Sequence, residues 1–129
     1  MITTVLRRVS VTMVVASTVL VSAALAHHGW SWTVEEQSTL EGTILDIYLG
    51  QPHAAMQVET ADGVTWSIDL APPSATSRSG FVEGVAAAGD RVVILGNRAK
   101  DASVMRMKAV RITVDGKNYD VYPDRVTEH

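Results

Sequence analysis

Between residues 40 and 49 the apolar positions change phase, running Leu40, Gly42, Ile44 and then Leu45, Ile47, Leu49. Alternation with a period of two marks a strand with one buried face. A slip of one residue beside a glycine is the trace that a β-bulge leaves. Residues 39–49 therefore predict one long, sharply bent strand, preceded by a polar, acidic lead-in over residues 33–38. Gly50-Gln51-Pro52-His53 ends it, because proline cannot donate to a ladder. Residues 54–60 alternate again, with Met56 and Val58 on one side and Gln57 and Glu59 on the other. Asp62-Gly63 is a hairpin turn, and Val64, Trp66, Ile68 and Leu70 give the returning strand its apolar face.

Ala71-Pro72-Pro73 stops that strand, and Ser74 is placed to cap a short helix over residues 75–79, closed by Gly80. Phe81 is expected to pack back on the core. Gly89-Asp90 turns into a short strand over residues 91–96, and residues 97–103 read as a polar loop. Residues 105–114 form another strand with a phase shift in the middle, and Asp115-Gly116 turns the chain into a last strand over residues 119–122. Regular short strands between turn signals predict an all-β domain. The bulged first strand, early hairpin and helix before the fourth strand favour a small OB-like Greek-key barrel with one short helix and a C-terminal hairpin. An open sandwich is the alternative.

Ahead of the barrel, Arg7 and Arg8 precede an apolar run over residues 9–21, and Ala24-Leu25-Ala26 is a small-x-small cleavage pattern. Residues 1–26 therefore read as a signal peptide, residues 27–123 as one barrel domain and residues 124–129 as a polar tail. Ser10, Thr12, Ser17 and Thr18 interrupt the apolar run, which makes it a poor stable membrane span. The expected location is periplasmic or secreted. The whole chain carries a net charge of −3, and losing two arginines makes the mature part more acidic still. An acidic chain without a basic block is a poor nucleic-acid binder, since neutralising phosphate supplies most of that affinity. With no cysteine, disulfides, thiolate metal sites and cysteine nucleophiles are excluded.

Catalytic signatures are weak. No G-x-S-x-G elbow, phosphate-cradling glycine loop or dinucleotide fingerprint occurs. Glu35 and Glu36 are adjacent, so in an extended segment they point apart. The histidines stand out instead. Cleavage after Ala26 makes His27 the first residue, and its free amine and ring can close a chelate on one metal ion. His28 can add a ring nitrogen, and His53 sits in the loop between the first two strands, where a rigid scaffold places functional groups. Trp30 and Trp32 read first as packing residues and second as a clamp for the N-terminal arm. Met56, Met105 and Met107 are soft donors whose strand positions favour packing.

The junction Ala26-His27-His28-Gly29-Trp30, the loop Gln51-Pro52-His53, the Gly89-Asp90 strand entry and the closing Ile112-Thr113-Val114-Asp115-Gly116 carry a resemblance. Over residues 20–123 the chain resembles a family of small exported bacterial proteins of unknown function. That family starts its mature part with Ala-His-His and carries an Asn-Pro-His loop; here Gln51 stands in the asparagine's place. A looser similarity, through His27 and His53, is to histidine-brace copper proteins. Together these lead to a non-catalytic periplasmic protein that binds copper, ahead of zinc, through His27, His53 and His28. The alternative is a metal-free envelope module that binds a small ligand or partner protein on a face around Trp30, Trp32 and Trp66.

Overall fold

The computed structural model describes residues 29–127. Six strands form one sheet in the order β3-β2-β1-β4-β5-β6, and β3 also pairs with β5. The chain is therefore an all-β barrel: β1 (Thr33–Tyr48), β2 (Ala55–Glu59), β3 (Thr65–Asp69), β4 (Arg91–Ala99) and β5 (Arg106–Val114) close a ring. The closure is the parallel pairing of β3 with β5, which sets Ser67 against Arg106, Ile68 against Met107 and Asp69 against Lys108. The short β6 (Lys117–Asp120) extends β5 as a hairpin, and a short helix, α1 (Pro73–Arg78), joins β3 to β4.

β1 is long enough to serve two neighbours. Its first part pairs with β4, from Thr33 opposite Ala99 to Thr43 opposite Arg91. Its second part pairs with β2. The bend between them is the expected bulge: Ile44 faces Val58, Asp46 faces Gln57, and Leu45 is left over and exposed. Gly42 makes the crossing possible, because a Cβ there would stand 2.6 Å from Val58 Cγ1 and 2.5 Å from the Glu59 carbonyl oxygen. A second phase shift lies in β5, where Leu95 pairs with Arg111 but Gly96 pairs with Ala109, so Val110 is the extra residue.

Inside the ring Ile44, Met56, Val58, Ile68, Ile94, Met107 and Ile112 are fully buried, with Phe81 folded in from the loop after α1. Met56 and Met107 are thus core side chains, as their strand positions favour.

Three expectations need correcting. The helix begins at Pro73, with Pro72 before it and no side-chain cap, so Ser74 is an exposed residue of its first turn. Proline at that position loses nothing, since its missing N–H would have had no helical partner. Its stabilising hydroxyl comes from Thr76, which donates to the Ala71 carbonyl at 2.9 Å. The supposed lead-in over residues 33–38 belongs to β1, and the supposed loop from Asn97 begins with three residues of β4. These last two errors have one cause, because the two polar stretches pair with each other.

Candidate functional site

Four polar side chains are buried among the described residues: Thr33, Thr76, Asn97 and Lys108. Burying such groups is costly unless each finds a partner. Three of the four serve the first few residues of the described chain. Lys108 is only 4% exposed, and its Nζ donates to the Gly29 carbonyl at 2.6 Å. Asn97 donates from Nδ2 to the carbonyls of Val34 and Glu35, both at 3.0 Å. Thr33 donates from Oγ1 to the Trp30 carbonyl at 2.8 Å. The Lys100 amide adds a bond to the Trp32 carbonyl at 2.9 Å. Residues 29–35 are therefore held from beneath along their whole length.

Aromatic contacts hold the same segment from above. Trp30 has Lys108 Nζ 4.6 Å and Arg125 Cζ 4.1 Å from its ring centroid, and its ring meets Tyr122 edge-on at 4.9 Å. Trp32 lies over Arg106, whose Cζ is 4.0 Å from the ring centroid. Such cation–π contacts contribute about 0.5–2 kcal/mol each, more as they are desolvated. Arg106 is fixed in turn by a two-pronged ion pair to Asp69, with Nε and Nη2 at 3.2 and 2.5 Å. The residues after β6 close over this end of the barrel. Gln37 donates to the Arg125 carbonyl at 2.6 Å and accepts from the Thr127 hydroxyl at 2.6 Å.

The electrostatics follow from this packing. Burial pulls the Lys108 ammonium below the usual lysine pKa, Arg125 and Arg106 push the same way, and Asp69 opposes them. Burial also raises the Tyr122 hydroxyl above its ordinary value.

Of the expected ligands, His27 and His28 lie outside the described residues. His53 is exposed, in the loop that leads into β2. That loop is tied at both ends. Tyr48 donates its hydroxyl to the Gln51 carbonyl at 2.6 Å, and Ala54 N–H bonds the Ala71 carbonyl at 3.1 Å. No group of three or more His, Cys, Asp or Glu side chains able to hold a metal occurs among the described residues. His53 alone is not a metal site.

Trp66 does not join Trp30 and Trp32. It points into the barrel from β3, with Val58 opposite and Arg98 Cζ 4.8 Å from its ring centroid. Trp32 instead lies over the outward side chain of Arg106. A face shared by all three tryptophans is therefore not formed. Glu35 and Glu36 are both exposed, at the irregularity in β1 between Thr33 and Gln37. Sequence reasoning missed Lys108, Asn97, Arg106 and Asp69. One signal was there to use: Lys108 is a single charge inside the run Met107-Lys108-Ala109-Val110, all four of them buried.

Among the described residues no helix is long and apolar enough to cross a membrane. No curated protein matches the chain. A solved structure of related shape is the crystal structure of the ZRD-deleted mutant of TiaS in complex with agmatine, with 17% identity and a TM-score of 0.49. The similarity covers 67% of this chain and 26% of that one, so the chain spans about a quarter of the length of that structure. A family model matches residues 14–108, a span that runs through the histidine junction and His53 and ends on Lys108, the residue that grips Gly29. That span is most of the sequence, and the chain belongs to DUF6152, a family of unknown function.

Proposed function

We propose that this chain is an exported, non-catalytic metal-binding protein that takes copper, ahead of zinc, through the His27 amine and ring, His53 and His28. The observation that carries the reading is the bond from the buried Lys108 to the Gly29 carbonyl. A terminal chelate binds tightly only if the terminus is held before the metal arrives, since ordering a free end costs affinity. Here the chain is gripped two residues after His27.

The register of the barrel supports the same reading. Ala55 faces Asp69, and Asp69 faces Lys108, so the three lie in one row across β2, β3 and β5. With neighbouring strands ~4.8 Å apart, Ala55 and Lys108 are separated by about 10 Å. His53 stands two residues before Ala55, and His27 two residues before Gly29; each such step spans at most ~7 Å of chain. His53 thus precedes one end of this row, and Gly29 is held at the other end by the tip of the Lys108 side chain.

The test begins with the mass of the exported protein, which must start at His27. Cu(II) is then titrated into that protein and followed by EPR. Saturable, nitrogen-rich binding is expected. Adding one alanine before His27, and separately His53→Ala, should each weaken it. A harmless added alanine eliminates the terminal chelate. Absence of saturable binding of either Cu(II) or Zn(II) overturns the metal reading altogether.

A further inference from the structure

Part of β1 is a sheet edge, and its main-chain directions follow from Ile44. The Ile44 N–H donates to the Asp90 carbonyl at 2.9 Å, and its carbonyl accepts from the Gly89 N–H at 2.8 Å. Both polar groups of Ile44 thus face the β4 side. Such groups alternate in direction along a strand, so Gly42 and Leu40 also face β4, whereas Thr43, Glu41 and Thr39 face the other way. Thr43 meets Glu59 of β2 there. The ladder between β1 and β2 then stops, because the chain turns at once into the next hairpin, with Gly63 N–H on the Thr60 carbonyl at 2.9 Å. The N–H and C=O groups of Glu41 and Thr39 are left without a main-chain partner among the described residues.

A recess of about 450 Å³ lies along this edge, with Thr39, Leu40, Glu41, Ala61, Asp62 and Trp66 among its lining. Ala61 is the residue that would stand opposite Glu41 if the register of Thr43 with Glu59 ran on. The turn takes it out of the ladder and leaves the strand position beside Glu41 and Thr39 vacant. Two residues of one rigid strand therefore present two donors and two acceptors at the spacing of a β-ladder, and another strand supplies the matching set.

We propose that an extended peptide of a partner protein adds itself antiparallel to this edge, continuing the line of β2, with a basic residue opposite Glu41. Both neighbours that β1 already has are antiparallel to it. Side chains directly opposite share a face, where unlike charges attract and like charges repel. Glu41 is exposed and Asp62 lines the same recess, so lysine or arginine is favoured opposite Glu41. Arg98, the cation of the lining, is already engaged: its Cζ lies 4.8 Å from the Trp66 ring centroid and its Nε donates to the Ser38 hydroxyl at 3.1 Å. The peptide residues flanking the basic one turn to the opposite face, that of the buried Leu40, and are apolar. A second copy of this chain fits worse, since it brings its own Glu41 and a net charge of −3. No metal takes part, so this proposal stands or falls separately from the copper reading.

The test titrates metal-free mature protein with an end-capped peptide that runs threonine, valine, lysine, valine, threonine, and follows amide chemical shifts and hydrogen exchange. Binding should saturate, and the Thr39 and Glu41 amides should shift and exchange more slowly. Methylating the lysine nitrogen removes the donor aimed at the Glu41 carbonyl and should weaken binding about tenfold or more. Methylating the nitrogen of the first valine, which points away from β1, should be tolerated. Glutamate in place of the lysine should bind about fivefold more weakly. Glu41→Lys alters an exposed side chain, so it should keep the wild-type melting temperature and reverse that preference. Thr39→Pro removes an edge donor that serves no bond to β4, and should weaken the lysine peptide. No saturation at millimolar peptide means that the edge is only hydrated, and the proposal fails. Equal losses from the two methylated peptides, or a preference that Glu41→Lys leaves unchanged, overturn it as well. So does self-association that protects the Thr39 and Glu41 amides without peptide, which would make the edge an interface between copies.

Discussion

Asn97 and Lys108 are opposite partners across β4 and β5, and each donates to a backbone carbonyl of residues 29–35. Two buried polar side chains on neighbouring strands thus grip one crossing segment. The pairing depends on Gly96, because β5 runs so close that a Cβ at position 96 would collide with the Lys108 carbonyl oxygen. An apolar pair at these positions would fill the same space without the cost of burying a charge. What the polar pair supplies is position, since it fixes where the chain enters the barrel.

Lys108→Met should separate position from stability. Replacing a buried charge by an apolar side chain of similar volume is often neutral or mildly stabilising, so the unfolding free energy should stay within about 1 kcal/mol of wild type. The Gly29 carbonyl loses its donor, and the amide of Thr33, bonded to Trp30, should exchange hydrogen faster. Cu(II) affinity should fall about 10–100-fold, the usual effect of removing a residue that orients a ligand. Collapse of the fold in urea at unchanged exchange rates would show that Lys108 is structural instead.

The sequence disclosed the ring and concealed the clamp, for physical reasons. Leu45 announced the bulge because its phase slip is local, and Asp62-Gly63 announced the hairpin because a turn has its own chemistry. Residues 33–38 and Asn97 look like surface polar stretches for the opposite reason. Their stabilising bonds, such as Asn97 to Val34, join positions 63 apart in the chain. No pattern within either stretch records a partner so distant. Lys108 was half legible: a lone lysine in an apolar run signals a buried charge, but not that Gly29 is what it holds. The histidine reading came from the junction and from the loop after β1, and His53 is the part of it that the described structure contains.

Stability should depend on pH in two opposed steps. Burial, helped by Arg125 and Arg106, lowers the folded pKa of Lys108, whereas an unfolded lysine titrates near ~10.4. Between these values the unfolded chain binds more protons, so stability rises with pH across that window and is flat below it. Tyr122 acts in reverse. Burial raises its folded pKa above the unfolded value near ~10, so the folded state keeps the proton longer and stability is lost as pH rises past ~10. Urea unfolding at successive pH values should lose the rise in Lys108→Met and the fall in Tyr122→Phe. A rise that survives Lys108→Met would belong to another group.

Ile68 tests the barrel closure. It is fully buried on β3, with Met56 opposite on β2 and Met107 opposite on β5. Ile68→Val should cost about 0.5–1.5 kcal/mol and Ile68→Ala about 2–5 kcal/mol, the range for deleting atoms from a packed interior. Both are read from urea midpoints at constant slope. An Ile68→Ala cost below that of Ile68→Val would mean that β3 and β5 do not meet here.

The strongest test of the clamp is whether its two grips act as one. Asn97→Ala leaves the Val34 and Glu35 carbonyls without their donor and should cost about 1–3 kcal/mol. Lys108→Met frees Gly29, with little effect on global stability. If residues 29–35 peel away as a unit, either change alone releases much of what the other was holding. The double variant should then expose the Thr33 and Lys100 amides to exchange scarcely faster than the worse single variant, with a coupling of about 0.5–3 kcal/mol in the free energy of local opening. Copper affinity should follow the same rule, the double variant binding about as weakly as the worse single. Additive effects would mean that Asn97 fixes β1 and Lys108 fixes Gly29 independently. The terminus would then be held by Lys108 and Trp30 alone, and Asn97→Ala should leave metal binding untouched.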